Sequence, residues 1–273
     1  MAGKKQVTSP AKIKLKISEE QLFGRNANIV CDAKKDLINR IKDCITSSKA
    51  TIGICHRDKK NTKKDPNAQI GINSDSLNAV IREKLKSIES LCFETNVEYG
   101  AFFERKKKSD FDFSLYDRMY NYCSFWNYNN KRSDLKKIIK ETIQDRDKSD
   151  WNRFKKEYKP KNNTDVVYRG ENCLNIVGEI QMGNWGLLYK DIFRLLRAKK
   201  SPGVELYIYV TITGFLKDKL SSSVVCFEKA VKEFKELMDI IEVPVLVLGV
   251  DIDTYDLNEF KSAHRIVQQA QQA

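Results

Sequence analysis

Two acidic residues and a glutamine in the middle of the chain are spaced so that they could share one site. Asp165 is followed fourteen residues later by Glu179, and Gln181 comes two residues after that. The segment from Leu174 to Met182 has the apolar character of a strand, and residues two apart on a strand point to the same face. We therefore expect Glu179 and Gln181 to face one site, with a turn at Gly170 forming a hairpin that brings Asp165 beside them.

Two carboxylates at the end of a strand suit a hard cation such as Mg²⁺, which binds one or two carboxylates together with water and phosphate oxygens. Such an ion polarises a phosphodiester, acidifies a bound water and stabilises the leaving oxygen. This is the chemistry needed to cut nucleic acid. The structural alternative is that Glu179 ends a buried strand and pairs with a nearby Lys or Arg, and the residues alone leave both interpretations open.

The charge balance favours a polyanionic partner, and the cysteine usage favours a reducing compartment. The chain has 49 Lys and Arg against 37 Asp and Glu, a net charge of +12. Its seven cysteines contain no C-x-x-C pair and only two histidines accompany them, which argues against structural zinc and for free thiols. The N-terminus lacks a signal-peptide pattern, and the apolar run from Val243 to Val250 is too short to cross a bilayer. We expect a cytoplasmic protein.

The second half of the chain alternates between strand and helix patterns. After the segment with Asp165 and the strand with Glu179 come a helix from Trp185, a strand over 204–213, an amphipathic helix over 225–241 and a strand over 243–250. This alternation predicts an α/β fold, in which a mixed central β-sheet is flanked by helices on both faces. The acidic site would then lie at the strand ends, where open sheets commonly place function.

Residues 1–150 are expected to form a mainly helical N-terminal part of the same globular unit, and residues 151–273 the catalytic α/β core. Helical spacing begins near Asp32, Ser74 and Ser133. DNA-backbone contacts, dimerisation or both would be the task of this first part. Its lysine-rich start, residues 1–17, is interpreted as a solvated tail, with a phosphate-binding arm as the alternative. The aromatic segment 116–126 fits a core or a dimer interface better than a surface that stacks on bases.

The central motif resembles that of a known enzyme family. Asp165 followed by Glu179-Ile180-Gln181 is similar to the PD-(D/E)XK nuclease signature, with Gln where most members have Lys. Together with Met182-Gly183-Asn184, the E-x-Q variant resembles the BglII/BstYI group of type II restriction endonucleases and, less closely, BamHI. The segments 221–230 and 243–249 read like their counterparts in that group, so the resemblance extends roughly over residues 164–251.

The resemblance implies a homodimer that cuts both strands of double-stranded DNA at a palindromic site with Mg²⁺, with GATC at the centre of that site. It also implies a cognate DNA methyltransferase as a genetic, not a physical, partner. The metal would be held by Asp165, Glu179 and the carbonyl of Ile180. Gln181 would orient the attacking water, because a neutral amide cannot act as a base.

Further residues are assigned by the same resemblance. Asn184 matches a position that contacts bases, Lys190, Asp218 and Lys219 fall near base-reading positions, and Glu157 is the candidate for an additional upstream acid. Two alternatives to a restriction enzyme remain at this point. One is a DNA-binding protein without catalytic activity, and the other is a nuclease of the same fold that acts in repair or recombination.

Overall fold

One mixed β-sheet of nine strands forms the centre of this computed structural model, which describes residues 6–57, 69–105, 109–171 and 174–272. Its strand order is β3-β2-β1-β9-β8-β7-β6-β4-β5. Strands β7, β8 and β9 are parallel to one another, and the other pairs are antiparallel. The strands are β1 (Ser9–Phe23), β2 (Ala50–His56), β3 (Ile70–Ile72), β4 (Cys92–Glu98), β5 (Ala101–Glu104), β6 (Phe111–Leu115), β7 (Ile176–Ile180), β8 (Leu206–Ile212) and β9 (Val245–Tyr255).

Helices cover both faces of this sheet, which confirms the predicted fold class. The helices are α1 (Ala27–Ala33), α2 (Lys35–Thr46), α3 (Ser74–Leu85), α4 (Arg118–Asn129), α5 (Leu135–Thr142), α6 (Lys148–Tyr158), α7 (Gly186–Lys200), α8 (Gly214–Lys219), α9 (Phe227–Ile241) and α10 (Leu257–Gln272). Buried side chains of α2, α3 and α10 pack on one face, and those of α7 and α9 on the other. Strand β8 is buried along its whole length, as expected of a parallel strand covered on both sides.

The first half of the chain contains strands in addition to the expected helices. Residues 1–150 supply β1 to β6, so most of the sheet described here comes from this part, and one sheet runs through both halves of the chain. Of the predicted solvated tail, residues 1–5 lie outside the described part of the chain, and residues 9–17 belong to strand β1, which pairs with β2 and β9. In β1, Ala11, Ile13 and Leu15 are buried while Lys12 and Lys16 are exposed. The lysines occupy the outer face of a strand with a period of two.

A helical insert, defined here as residues 116–171, separates β6 from β7. It contains α4, α5 and α6 and packs on β5 through a cluster of buried aromatic rings. Trp151 stacks on Phe154 with ring centroids 5.1 Å apart, and Phe125 meets Trp151 edge to face at 5.8 Å. The aromatic segment 116–126 is therefore core. Its remaining part, 161–171, has no regular strand, so the predicted hairpin with Asp165 is absent from this stretch.

Two further features can be compared with the sequence. The described cysteines, which are Cys31, Cys44, Cys55, Cys92, Cys123 and Cys226, are all free thiols, as their spacing predicts. Within the described ranges, no helix has the length and apolar character needed to traverse a bilayer.

Candidate active site

Glu179 and Gln181 face the same helix, as the alternation of strand side chains predicts. The Glu179 carboxylate lies 3.9 Å from the guanidinium of Arg194, and the Gln181 amide donates a 2.9 Å hydrogen bond to Asp191. Asp191 and Arg194 are both on α7 and are 3.2 Å apart. The side-chain carbonyl of Gln181 accepts a hydrogen bond from the backbone of Gly183 at 2.8 Å. Both ends of the Gln181 amide are thus fixed.

The carboxylate beside Glu179 belongs to Asp112 on β6. Strands β6 and β7 pair with Phe113 opposite Gly178, and the Asp112 carboxylate accepts a 2.8 Å hydrogen bond from the backbone N–H of Ile180. A backbone carbonyl would normally accept this bond in a ladder, so β6 turns away from β7 here and the side chain replaces it. Asp112 and Glu179 are 7% and 8% exposed, which makes them a buried pair on two neighbouring inner strands of the sheet.

The structure does not bring Asp165 to this pair, so the predicted pairing of Asp165 with Glu179 is wrong. Asp165 is exposed, and its carboxylate accepts a 2.7 Å hydrogen bond from Asn130. Its neighbour Thr164 accepts a 2.9 Å bond from the indole of Trp126. These contacts fix the segment to the C-terminal end of α4 in the helical insert. The sequence contains one indication that Asp112 belongs to a site, because it is a single acid between Phe111 and Phe113.

The second acid assigned from the sequence, Glu157, also lies elsewhere. It is exposed on α6 and pairs with Arg153 at 2.7 Å, one helical turn away. The additional acids near the pair are Asp191 and Asp110. Asp110 contacts Arg194 at 3.8 Å and also pairs with Arg197. Neither of these acids was singled out from the sequence, because a lone Asp in a helix or a turn is usually a surface residue.

Burial makes the charged forms of these acids unfavourable. It raises the pKa of Glu179 well above the usual 4.5, and the charges of Asp112 and Asp191 raise it further, while Arg194 opposes the shift. Burial also raises the pKa of Asp112, against the opposing effect of Arg82, which pairs with it. Burial raises the pKa of Asp191 to about 6. A nearby cation would stabilise these carboxylates in their ionised form.

The donor set fits a hard divalent cation. Within residues 6–57, 69–105, 109–171 and 174–272, no three Asp, Glu, His or Cys side chains form a ready metal cluster. Asp112 and Glu179, together with the carbonyl of Ile180, offer two carboxylates and one neutral oxygen. Mg²⁺ keeps several waters and takes only one or two carboxylates, so this set is sufficient for it.

Glu179→Gln should stabilise the metal-free protein more at pH 8 than at pH 5. Because the folded pKa of Glu179 is raised, the folded state loses stability as the pH rises from about 4.5 through the folded pKa, by about 1.4 kcal/mol for each pH unit between the two pKa values. A glutamine does not ionise and escapes this loss. Thermal unfolding in EDTA at both pH values measures the effect, with the exposed Glu157→Gln as control. An equal gain at both pH values would contradict the prediction.

The residues assigned to DNA contact lie on two surfaces. Asp218, on α8, lines a cavity of about 660 Å³ with Arg57, Lys217 and Lys229, and Asn184 borders a cavity of about 440 Å³ that also contains Lys229. Lys219 follows Asp218, with its ammonium 5.1 Å from the Phe215 ring. Lys190 instead lies exposed on α7. Asn184, Asp218 and Lys219 are therefore neighbours around α8 and the loop before α9, and Lys190 is separate from them.

The chain combines a mixed β-sheet with a buried acidic pair on two neighbouring strands, β6 and β7. A family model described as restriction endonuclease BglII/BglIII matches residues 22–250. The chain belongs to this family of restriction endonucleases and is thus a site-specific DNA nuclease. The crystal structure of restriction endonuclease BglII complexed with a DNA 16-mer is similar at 11% identity and a TM-score of 0.40, over 85% of this chain and 75% of that one. No curated protein matches the chain.

Proposed function

We propose that this protein is a type II restriction endonuclease that hydrolyses both strands of duplex DNA at a short palindromic site, using Mg²⁺. The observation that carries the proposal is the buried pair Asp112 and Glu179, with Gln181 fixed beside it. The Gln181 position supports the E-x-Q variety of the BglII/BstYI-like enzymes. A buried acidic pair with raised pKa values is costly to keep, and such sites are commonly functional.

Each residue of the site has a distinct role in this proposal. Asp112, Glu179 and the carbonyl of Ile180 hold the metal, so Asp112 takes the place first assigned to Asp165. The bound ion supplies polarisation of the phosphodiester and acidification of a water. Gln181 orients the attacking water through the N–H that its bond to Asp191 leaves free. Asp191 is a positioning residue, since it acts by fixing the Gln181 amide.

Sequence recognition is assigned to the surface around Asn184, Asp218 and Lys219. Asn184 is exposed directly before α7, and an Asn offers both a donor and an acceptor to a base edge in the major groove. The 660 Å³ cavity adds cationic side chains that suit phosphates. Lys190 is reassigned from base reading to the dimer surface, because it shares the exposed face of α7 with Phe193, three residues further on.

Cleavage of both strands at a palindrome requires two catalytic centres related by a two-fold axis, and each chain carries one. We assign the dimer contact to the outer face of α7. Phe193 is 72% exposed and Tyr189 36% exposed on that face, and a Cβ on Gly186 would meet nothing within 4 Å. These residues recur at helical spacing, so a second copy of α7 can pack against them.

The remaining parts of the proposal follow from the same enzyme class. A GATC-centred recognition sequence, a cytoplasmic location and a DNA methyltransferase that protects the host as genetic partner are expected. A site-specific cutter is harmful to its host unless the host sites are modified. A methyltransferase gene next to the gene of this protein would support this part.

Digestion of mixed plasmid DNA with Mg²⁺ tests the proposed function. Discrete fragments are expected, and run-off sequencing of their ends gives the recognition sequence and the cleavage position. Intact DNA in the presence of folded protein and Mg²⁺ would overturn the proposal. Preferred cutting of branched over linear duplex would instead indicate a repair or recombination nuclease, and binding without cutting would indicate a DNA-binding protein.

A further inference from the structure

A groove of about 1100 Å³ separates the helical insert from the hairpin of β4 and β5. One wall consists of α5, α6 and the turn between them. The other wall contains Asn96, Glu98 and Arg105. The proposed active site does not use this groove, and no residue assigned to DNA contact from the sequence lines it.

The insert wall of the groove is strongly basic. Residues 131–161 contain twelve Lys and Arg against six Asp and Glu, so these 31 residues carry +6 of the net charge of +12. Lys148, Asn152 and Lys155 line the groove from α6 at the spacing i, i+4, i+7, which places them on one side of that helix. Lys140 joins them from α5. A row of cations along a groove is the electrostatic footprint of a polyanion site.

These lysines are available to a ligand. Within the part of the chain that the structure describes, Lys140 and Lys155 pair with no carboxylate, and Lys148 pairs only with the highly exposed Asp145. Such an exposed pair contributes little and is easily exchanged for another anion. Arg105 differs, since it is buried and bonds to Glu98 at 3.3 Å and to the carbonyl of Thr142 at 2.8 Å. Arg105 therefore links the two walls of the groove, and the lysines are the side chains that can bind an anionic ligand.

The groove lies next to the strands that carry the acidic pair. Strand β4 lies beside β6 with Thr95 opposite Phe111, and the backbone N–H of Val97 donates a 2.9 Å hydrogen bond to Asp110. Asn96 is thus next to the strand that holds Asp112. Neighbouring strands are about 4.8 Å apart, so β4 lies two spacings and β5 three spacings from β7, which carries Glu179; measured in the plane of the sheet, this is roughly 10–15 Å. That distance corresponds to about three or four base-pair steps of duplex DNA at 3.4 Å per step.

We infer that this groove binds the phosphate backbone of duplex DNA that flanks the recognition sequence. The inference rests on the proposed function and adds a contact to it that lies outside the catalytic centre. Lysine ammonium groups act as point charges, so they suit phosphates along a backbone and carry no sequence information. Longer DNA therefore binds more tightly than a duplex that ends near the recognition sequence, whatever the flanking sequence is.

The test compares two triple variants on two duplexes. The groove variant carries Lys140→Ala, Lys148→Ala and Lys155→Ala; the matched control carries Lys16→Ala, Lys35→Ala and Lys235→Ala, three exposed lysines on elements that do not line the groove. One duplex extends about two base pairs beyond the recognition sequence on each side, and the other about fifteen. Cleavage with Mg²⁺ gives KM and kcat for each pair.

For the long duplex, the groove variant should raise KM about tenfold with kcat unchanged, and for the short duplex both constants should stay at the wild-type values. In the non-cleaving Glu179→Ala background, the slope of log K against log salt should fall by about 2.7 per protomer, the value for three lost phosphate contacts. Lys140→Gln with Lys155→Gln is a milder second variant that should show the same dependence on duplex length.

Equal KM values for the groove variant and the control on the long duplex would overturn the inference. So would an equal rise on both duplexes, which would place the lysines at the recognition sequence itself. These outcomes require a wild type that cleaves DNA, so they differ from failure of the proposed function, in which no protein cuts either duplex. If the groove variant bound DNA as tightly as the wild type, the inference would be overturned, and an acidic protein would be the remaining candidate for this groove.

Discussion

Asp112→Asn should lower the rate of DNA cleavage by about a thousandfold or more, which corresponds to about 4 kcal/mol of transition-state stabilisation. The carboxylate lies beside Glu179 and accepts the backbone N–H of Ile180. An asparagine keeps the volume of the side chain but removes the charge that would bind the cation. Glu179→Ala should have an effect of similar size. Cleavage of supercoiled plasmid over a range of enzyme concentrations measures both.

Asp165→Asn is the matched control for this prediction. Asp165 is exposed and bonded to Asn130 in the helical insert, so its variant should retain cleavage within about threefold of the wild type. Site-specific binding should persist in all three variants, since phosphate and base contacts are separate from the acidic pair. If Asp165→Asn lost cleavage while Asp112→Asn kept full activity, Asp165 and not Asp112 would be the catalytic partner of Glu179.

Phe193→Glu should dissociate the proposed dimer and abolish double-strand cleavage. An exposed phenylalanine contributes roughly 1.5–3 kcal/mol when it becomes buried, and a two-fold interface buries it twice. The variant also introduces a charge that the interface would have to desolvate. The Kd of the dimer should rise at least about a hundredfold. Sedimentation velocity across a concentration series measures it, and nicked plasmid should replace linear plasmid as the product.

Ile266→Glu provides the comparison for the dimer prediction. Ile266 is 55% exposed on α10, which packs on the face of the sheet opposite α7. This variant should sediment like the wild type and make double-strand cuts. If the Phe193→Glu protein remained dimeric and fully active, α7 would be excluded as the dimer contact.

The central part of the fold could be predicted from the sequence because it obeys simple periodicities. The run Leu206–Ile212 is apolar at nearly every position, as a strand between two helical layers must be. Gly183 and Asn184 mark the break between β7 and α7. The shared direction of Glu179 and Gln181 follows from the strand period of two, and the structure confirms it through their contacts with α7.

The acidic pair could not be predicted because its members are close only in space. Periodicity describes neighbours along a strand, whereas Asp112 and Glu179 meet across two strands that the helical insert separates. Spacing along the chain favours Asp165 as the partner of Glu179, but the insert holds Asp165 on its surface. Strand β1 was missed for a different reason, since lysines on its outer face resemble a charged tail unless Ala11, Ile13 and Leu15 are read together with them.

The position of the helical insert in the chain also determines when, during translation, both members of the acidic pair are present. Asp112 emerges from the ribosome about 67 residues ahead of Glu179, so the nascent chain carries only half of its acidic pair for several seconds. Closing a connection of about sixty residues costs only about 1.4 kcal/mol more entropy than closing one of about twelve, a small penalty for a stable domain. Translation order therefore delays the assembly of the proposed catalytic centre until most of the sheet has been made.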